Sequence, residues 1–282
     1  MDALTETVEA MASARTGLAV QRSQTLFRMK MVEKWRIPTG ATVLEIGCGQ
    51  GDMTAVLAQA VGRNGRVVAL DVAGPDYGSP VTLGESADFL MSSSLGKRIE
   101  MRFETDVLDS RTTFPSDSFD YVVLSQSSWY FASADQFADT LARVRPWAHR
   151  LCFSEWDLRP TDSAQIPHLL AVLAQGQIEA GGARGNGNVR TPTSREAALR
   201  ILARTGWQVR DEHHVATTDL QDADWEIDAC LRMVDDAERM GRLNAATREF
   251  VTSQADVLRT LAKERGNSPL GTYALVAERM RD

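Results

Sequence analysis

The chain has 282 residues, of which 43% are hydrophobic and 24% charged, a balance typical of a globular protein with a sizeable core. Its formal net charge of −7, with no Lys/Arg-rich stretch, argues against nucleic-acid binding and favours a small-molecule substrate. The three cysteines, Cys48, Cys152 and Cys230, are odd in number and far apart, so we expect no disulfide framework, no metal site and a reducing, cytoplasmic location.

The amino-terminal part of the chain is predicted to be helical. Its first residues do not resemble a signal peptide, and no apolar run reaches the ~20 residues that a membrane span needs, so we expect no membrane partner. Apolar residues recur at helical spacing from Leu18 to Trp35, and the sequence Pro38-Thr39-Gly40 ends this pattern. We predict a helical segment over residues 1–37 that packs near the strand ends and acts as a lid.

Apolar runs then alternate with amphipathic stretches, which is typical of an α/β fold with helices on both faces of a parallel sheet. The strands are predicted at 42–47, 66–71, 99–104, 119–125 and 150–156. The helices between them are predicted at 52–61, about 83–94 and 133–145. Further along, we predict helices at about 163–180 and from Thr193 or Ser194 to Thr205, then strands at 206–215 and 271–280.

Two amphipathic helices are predicted between residues 220 and 264. If the last strand returns to the sheet, these helices form an insertion between the sixth and seventh strands. We therefore expect a Rossmann-like, doubly wound, mostly parallel seven-stranded sheet over residues 38–282, with an antiparallel last strand and residues 216–268 as the helical insertion. The same helices can bury a partner surface as readily as their own core, which leaves a homodimer open.

The sequence Gly47-Cys48-Gly49-Gln50-Gly51, here called the glycine turn, follows the first predicted strand. Glycine permits a tight strand-to-helix turn and lets a ligand approach the backbone closely. A dinucleotide fingerprint has the form G-x-G-x-x-G, with the pyrophosphate on the helix N-terminus. In this chain its third glycine is replaced by Asp52, whose charge would repel a pyrophosphate. The pattern thus favours a ligand without phosphate over a nicotinamide dinucleotide.

Together with Glu45, the glycine turn resembles the E-x-G-x-G-x-G motif of class I S-adenosylmethionine-dependent methyltransferases. The resemblance extends over residues 41–156 and implies S-adenosylmethionine as the cofactor, with its amino-acid portion in the turn. It also implies ribose hydrogen bonds to Asp71, adenine contacts with Val72, Asp106 and the Val107 amide, and a methionine end near the fourth strand. The cofactor-binding residues that it implies are Glu45, Gly47, Cys48, Gly49, Gly51, Asp71, Val72, Asp106, Val107, Ser125 and Gln126.

Plainer interpretations of two of these residues stay open. Asp71 at a strand end can be a helix or turn cap, and Asp106 can cap a short helix that starts near Leu108. The Gly/Pro-rich stretch after Asp71 departs from the family pattern and leaves open how the adenine face is covered.

Aromatic residues beyond the fourth and fifth strands are candidates for substrate binding. The fourth strand ends in SQSSWYF rather than in the N-P-P or D-P-P motif of the family's amino-directed nucleic-acid enzymes. Trp129, Tyr130 and Trp156 can wall an apolar substrate, and their ring faces can stabilise positive charge. The alternative is that these rings belong to the core.

Methyl transfer from a sulfonium is an in-line displacement that needs a general base only where the nucleophile must lose a proton. The candidates for that role are Glu155, His168 and His214. Glu155 can equally be a solvated loop charge, and none of the histidines is singled out by the pattern. We expect methyl transfer to an O, N, S or C nucleophile of a small molecule. The alternatives are a non-methylating S-adenosylmethionine-binding protein of the same fold and a nicotinamide-dependent oxidoreductase.

Overall fold

A computed structural model describes residues 2–15, 17–185, 187–217 and 219–280. In these ranges seven strands form one sheet in the order β3-β2-β1-β4-β5-β7-β6. The strands from β1 to β5 pair in parallel, and β7 is antiparallel to both β5 and β6. The predicted Rossmann-like sheet with an antiparallel last strand is therefore confirmed. The strands are β1 (Thr42–Ile46), β2 (Arg66–Leu70), β3 (Ile99–Arg102), β4 (Phe119–Ser125), β5 (Ala148–Trp156), β6 (Trp207–Val215) and β7 (Thr272–Arg279).

Helices cover both faces of the sheet. Those within the described ranges are α1 (Ala3–Glu9), α2 (Leu18–Trp35), α3 (Asp52–Val61), α4 (Leu83–Ser92), α5 (Ala134–Val144), α6 (Ile166–Ala180), α7 (Arg195–Arg204), α8 (Asp222–Asp235), α9 (Ala237–Gly241) and α10 (Ala245–Arg265). The third strand ends earlier than predicted, at Arg102, and Glu104 just beyond it has a left-handed φ of 52° that extended pairing does not allow.

The central strands are apolar on both sides because each face meets a layer of helices. Val43 of β1 points into the core under α2 and α3, while the next residue, Leu44, points into the core under α5 and α7. The alternation along each strand thus divides the interior into two layers. The sheet edge that carries the carboxyl ends of the parallel strands is left between these layers.

The amino-terminal segment is part of the main core. On α2, Phe27, Met31 and Trp35 are buried together with Val56 of α3 and Val43 of β1. The segment that we expected to act as a lid therefore also closes one face of the sheet.

The helices between β6 and β7 pack on α6. Ile227 and Cys230 of α8 are buried with Ala171 and Ala174 of α6 and Leu258 of α10. Since α6 precedes β6 in the chain, these inserted helices share a core with an element outside the insertion.

Candidate functional site

The glycine turn lies where β1 ends and α3 begins. Gly47, Gly49 and Gly51 have φ values of 76°, 52° and 90°, a left-handed conformation that favours glycine. A Cβ atom on Gly47 would lie 2.8 Å from Cβ of Ser127, and one on Gly51 would lie 2.9 Å from Cδ2 of Leu90. A Cβ atom on Gly49 would have no neighbour within 4 Å among the described residues. Two glycines are thus needed for packing, and Gly49 faces space that a ligand can enter.

Asp71 follows β2 and lies beside this open space. Its Oδ2 accepts a hydrogen bond from the Gly49 amide at 2.8 Å, and its Oδ1 accepts one from the Ala73 amide at 2.9 Å. The second contact is the turn cap that the sequence left open. A carboxylate can accept about four hydrogen bonds, so both oxygens keep acceptor capacity for a ligand. Val72 next to it is exposed.

Glu45 and Cys48 lie behind the glycine turn. Glu45 is buried, and its Oε2 accepts a 2.6 Å hydrogen bond from Oγ1 of Thr54 in α3. Burial raises the pKa of this carboxyl to about 8. Cys48 is also buried, and its amide donates to the Leu70 carbonyl at 3.1 Å. The Glu45 side chain therefore braces the turn through α3, the Cys48 side chain is buried, and neither lines the open space.

The Asp106 carboxylate acts as a turn cap in this structure. Its Oδ1 accepts a 2.8 Å hydrogen bond from the Leu108 amide, as the capping alternative requires, but residues 107–110 form turns and not the short helix that this alternative expected. The residue is exposed, so Oδ2 stays accessible. The Val107 side chain is buried in the core, so a ligand contact there would fall to its backbone.

The chain leaves β4 through a strained residue. Gln126 has a left-handed φ of 50°, and its amide donates to the Ser154 carbonyl at 2.9 Å. Ser125 is tied to β5 by a 3.0 Å contact between its Oγ and Oγ of Ser154. Ser127 then donates to the Ile46 carbonyl at 3.3 Å. These contacts hold the end of β4 against the glycine turn.

Glu155 anchors the 3₁₀ turn Ser128–Tyr130 that follows. It is only 2% exposed, and its Oε2 accepts hydrogen bonds from the amide and Oγ of Ser128 at 3.1 and 2.7 Å. Its Oε1 accepts one from the Trp156 amide at 3.1 Å. Burial raises its pKa to about 7, although these hydrogen bonds act in the opposite direction. The interpretation of Glu155 as a solvated loop charge is therefore wrong, because two strand ends enclose it.

The three candidate aromatic residues have different environments. Trp129 and Trp156 are buried, with their rings edge to face at a centroid distance of 5.5 Å, and they share a core cluster with Val172 of α6. The core interpretation thus describes these two tryptophans. Tyr130 is 48% exposed. Burial by the surrounding protein raises the pKa of its phenol, and the nearby carboxylates of Glu226 and Glu155 raise it further. The half-exposed face of Tyr130, together with the open space at Gly49, is called the cleft below.

Neither candidate histidine lines that cleft. His168 is fully buried, and its Nδ1 accepts a 3.0 Å hydrogen bond from the Leu270 amide. Burial lowers its pKa to about 3, which keeps the ring neutral. His214 lies on the edge strand β6, three strand spacings from β4. At ~4.8 Å per spacing this is roughly 14 Å from the end of β4, so the structure does not bring His214 to the glycine turn.

Polar residues of α2 and α8 that belong to no motif in the sequence also reach the site. Nε2 of Gln21 donates to Oδ1 of Asp52 at 2.8 Å, and Nε2 of Gln24 donates to Oδ2 of Asp222 at 2.8 Å. The sequence feature that could have indicated them is their spacing, because Gln21, Gln24 and Arg28 lie on one face of a helix. These bonds connect the glycine turn, through α2, to the inserted helices.

The Gly/Pro-rich stretch after Asp71 packs on the glycine turn. Nε2 of Gln50 donates to the Val81 carbonyl at 2.6 Å, and Oγ of Ser86 donates to the Gln50 carbonyl at 2.7 Å. The stretch carries Tyr77, which is half exposed and close enough to Tyr130 to raise its pKa. The departure from the family pattern thus adds a further aromatic residue to the cleft.

Residues 2–15, 17–185, 187–217 and 219–280 contain no group of three or more His, Cys, Asp or Glu side chains that could hold a metal ion. Among the described helices none is both long and apolar enough to cross a membrane.

Two family models match parts of the chain. One, described as a methyltransferase domain, matches residues 43–147. The other, described as protein-L-isoaspartate(D-aspartate) O-methyltransferase, matches residues 4–74. The first match contains the glycine turn, Asp71 and Asp106, and the second contains α2 and the turn.

Individual relatives extend this likeness. Methyltransferase phomM′ of Diaporthe leptostromiformis is 31% identical over 212 residues, which cover 61% of this chain and 54% of that protein. The chain thus spans about half the length of that curated relative. The crystal structure of a cyclopropane-fatty-acyl-phospholipid synthase-like protein from Lactobacillus casei is 33% identical, with a TM-score of 0.86 and coverage of 98% of both chains. The [4+2]-cyclase SpnF shares the fold at 17% identity, with a TM-score of 0.55 over 92% of this chain and 81% of its own.

Proposed function

Because the chain belongs to the class I S-adenosylmethionine-dependent methyltransferases, we propose that it transfers a methyl group from S-adenosylmethionine to a small-molecule nucleophile. The observation that carries this proposal is the glycine turn, where Gly49 faces open space beside the Asp71 carboxylate. The relative and the family model that are described as methyltransferases support the reaction class.

The residues around the turn fit this cofactor. S-Adenosylmethionine carries no phosphate, so Asp52 at the start of α3 does not repel it as it would repel a pyrophosphate. Asp71 keeps acceptor capacity for a ribose diol after its two bonds to backbone amides. The exposed Val72 offers an apolar surface to a flat ring. We assign the ribose to Asp71 and the amino-acid end to the glycine turn.

The remaining contacts are assigned by position. The accessible carboxylate oxygen of Asp106 and the Val107 amide suit the polar edge of the adenine. Ser125 and Gln126 end β4 next to the glycine turn, so they suit the methionine end. Glu45 and Cys48 support the turn from behind.

When bound, S-adenosylmethionine supplies an electrophilic methyl group for in-line displacement by a nucleophile. The residues of the chain position that nucleophile and exclude water. We assign the water-excluding cover to α2 and α8, which the Gln24–Asp222 hydrogen bond joins above the glycine turn. Tyr130, which follows β4 and is half exposed, is assigned to the substrate.

A non-methylating S-adenosylmethionine-binding protein is the second candidate function. The observation in its favour is that SpnF, described as a [4+2]-cyclase, has the same fold, and a fold alone does not determine the reaction. A nicotinamide-dependent oxidoreductase is disfavoured, because Asp52 stands where a dinucleotide site has its third glycine.

Titration calorimetry with S-adenosylhomocysteine tests the cofactor site. We expect the wild type to bind S-adenosylhomocysteine and not NAD. Asp71→Asn should weaken binding by about 10- to 100-fold, because hydrogen bonds to a charged group contribute about 1.5–3 kcal/mol. Asp76→Asn, a change at an exposed residue in the same stretch, should leave the affinity unchanged. Equal binding by the wild type and Asp71→Asn would contradict the assignment.

Methyl transfer is tested separately with methyl-labelled S-adenosylmethionine and a metabolite panel. Label that moves to a panel compound supports the enzyme, whereas tight cofactor binding without any transfer favours the non-methylating alternative.

The partners and location are also proposed. The net charge of −7 supports a small-molecule substrate over nucleic acid, and the odd, dispersed cysteines support a cytoplasmic location. A homodimer stays a prediction, which light scattering coupled to gel filtration would test.

A further inference from the structure

The helix α8 carries two carboxylates on its inner side. Asp222 is partly buried, and Glu226, one helical turn further, is only 7% exposed. Like charges at this spacing repel each other, and burying a charge carries a further cost. Burial raises the pKa of both carboxyls, and Asp222 raises that of Glu226 further. Core packing alone would favour an apolar side chain at the position of Glu226.

The hydrogen-bond partners of these carboxylates are neutral amides. Nε2 of Gln24 donates to Oδ2 of Asp222, and Nε2 of Gln175 in α6 donates to Oε2 of Glu226, both at 2.8 Å. The Arg28 guanidinium is near enough to Asp222 to oppose the rise of its pKa. For Glu226, the described part of the chain shows no salt bridge with any cation. Its carboxyl group is therefore hydrogen-bonded, and no cation offsets the charge that it carries when ionised.

Packing along α6 places Glu226 near the turn that carries Trp129 and Tyr130. Val172 of α6 lies against Trp129, in the turn that follows β4. Gln175, one helical turn further along α6, holds Glu226. Tyr130 adjoins Trp129, and the carboxylates of Glu226, Glu155 and Asp71 all act on its phenol. Tyr130 thus lies within electrostatic range both of Asp71, at the sheet edge where the cofactor is assigned, and of Glu226 in α8.

The charges around Tyr130 select the kind of ligand that fits. Opposite charges attract each other more strongly in the low-dielectric surroundings of an enclosed site than they do in water. A cation near Glu226 gains that attraction, whereas an anion is repelled by the same group. The ring faces of Tyr130 and Tyr77 also attract cations.

We propose that Glu226 binds the protonated amine of the substrate, so that the acceptor of the methyl group is a cationic amine. This inference rests on the proposed methyl transfer, whose acceptor atom it specifies. The Glu226 carboxylate pairs with the ammonium group R–NH₃⁺ and accepts one proton from it at Oε1. The products of that step are R–NH₂ and a neutral Glu226 carboxylic acid, which later returns the proton to water. The freed nitrogen lone pair forms the new N–C bond as the methyl–sulfur bond breaks, so the products of the transfer are R–NH₂⁺–CH₃ and S-adenosylhomocysteine.

Matched pairs of amines and alcohols test this inference. Hexylamine with hexanol, phenethylamine with phenethyl alcohol, and tryptamine with tryptophol differ mainly in the ammonium group. Binding of each is measured by calorimetry at neutral pH to the protein saturated with S-adenosylhomocysteine. For the wild type we expect at least one amine to bind about 10-fold or more tightly than its alcohol. In Glu226→Gln, which keeps the shape, that preference should fall to about 2-fold or less.

Controls separate this inference from the cofactor assignment. Asp228→Asn, at an exposed position of the same helix, should keep the amine preference. The affinity for S-adenosylhomocysteine should be the same in Glu226→Gln and the wild type. Wild-type protein that shows no preference in any pair overturns the inference, as does a preference that survives Glu226→Gln. A loss of S-adenosylhomocysteine affinity in Glu226→Gln also overturns it, since Glu226 would then serve the cofactor.

If S-adenosylhomocysteine does not bind the wild type, the proposed function fails instead. The amine and alcohol pairs measured on the protein alone then still decide whether Glu226 selects a cation.

Discussion

The Gly49 amide donates a 2.8 Å hydrogen bond to Oδ2 of Asp71, which joins two loops that are 22 residues apart in the chain. The glycine turn and the carboxylate therefore hold each other in place before any ligand arrives. Preorganisation of this kind reduces the ordering cost of binding. It also means that backbone changes in the turn should affect the cofactor affinity.

Alanine at Gly47 and at Gly49 should have different effects. Both residues have left-handed φ values, so either change costs about 1–2 kcal/mol of stability. Gly49→Ala should fold and lose affinity for S-adenosylhomocysteine by about 10-fold or more, since its methyl group enters ligand space. Gly47→Ala should lose a further ~1–3 kcal/mol of unfolding free energy through the contact with Ser127. Urea denaturation and calorimetry measure the two quantities.

The double variant Gly47→Ala/Ser127→Gly is the matched control for the clash. It removes the Cβ atom that lies 2.8 Å from the added methyl group, so it should recover part of the lost stability. No recovery would mean that the backbone conformation alone carries the cost at Gly47.

The substitution Glu155→Gln tests whether Glu155 anchors the turn Ser128–Tyr130 or acts as a general base. The amide of glutamine presents a donor where Glu155 accepts from the Ser128 amide and hydroxyl and from the Trp156 amide. The free energy of unfolding should fall by about 2–4 kcal/mol in urea denaturation. Ser128→Ala, which removes one of these bonds, should cost about 1 kcal/mol. An unchanged stability together with lost turnover would instead assign Glu155 to catalysis.

Substitutions of two adjacent residues of α2 should show whether this helix is part of the core or a detachable lid. Phe27 is 3% exposed and Leu26 is 39% exposed. Phe27→Ala should lower the free energy of unfolding by about 3–5 kcal/mol, and Leu26→Ala by less than about 1 kcal/mol. Urea denaturation of both variants gives the comparison. A small effect of Phe27→Ala would mean that α2 is a detachable lid.

Glu45 should make the stability of the ligand-free protein depend on pH. Its pKa is about 8 in the folded state, against 4.5 for the ordinary side chain. Between these values the unfolded chain has released a proton that the folded protein retains, so stability falls as pH rises, by at most about 1.4 kcal/mol per pH unit. Above the folded pKa the dependence flattens.

Urea denaturation of Glu45→Gln over the same pH range tests whether Glu45 causes the predicted fall in stability with rising pH. The variant keeps an acceptor for Thr54 and has no carboxyl to titrate, so its stability should fall less steeply than that of the wild type. Glu249→Gln, a change at an exposed glutamate, should follow the wild-type curve. Parallel curves for Glu45→Gln and the wild type would show that Glu45 does not carry the dependence.

Local features of the sequence were sufficient to predict the sheet and the glycine turn. Continuous apolar runs such as that at residues 42–46 indicate strands covered on both faces, and the structure has β1 there. Glycines at 47, 49 and 51 indicated left-handed backbone, which all three adopt. Such features depend on the residue itself and its immediate neighbours, so a sequence pattern reveals them.

The environment of each residue beyond the strand ends depends on partners that are distant in the chain. Trp129 and Tyr130 are adjacent and equally aromatic, yet Trp129 is buried and donates to the Thr193 carbonyl, 64 residues away. The carboxylate of Glu226 is held by Gln175, 51 residues away.

The sequence by itself determined the fold class, the glycine turn and the position of Asp71, because turn geometry and strand burial follow from short-range patterns. Only the tertiary structure decided that Glu155 is an anchor, that Tyr130 is exposed beside the buried Trp129, and that α2 meets α8. The last contact joins Gln24 to Asp222 across 198 residues. Contacts at such separations arise from the packing of whole helices, and no spacing rule within either segment specifies them.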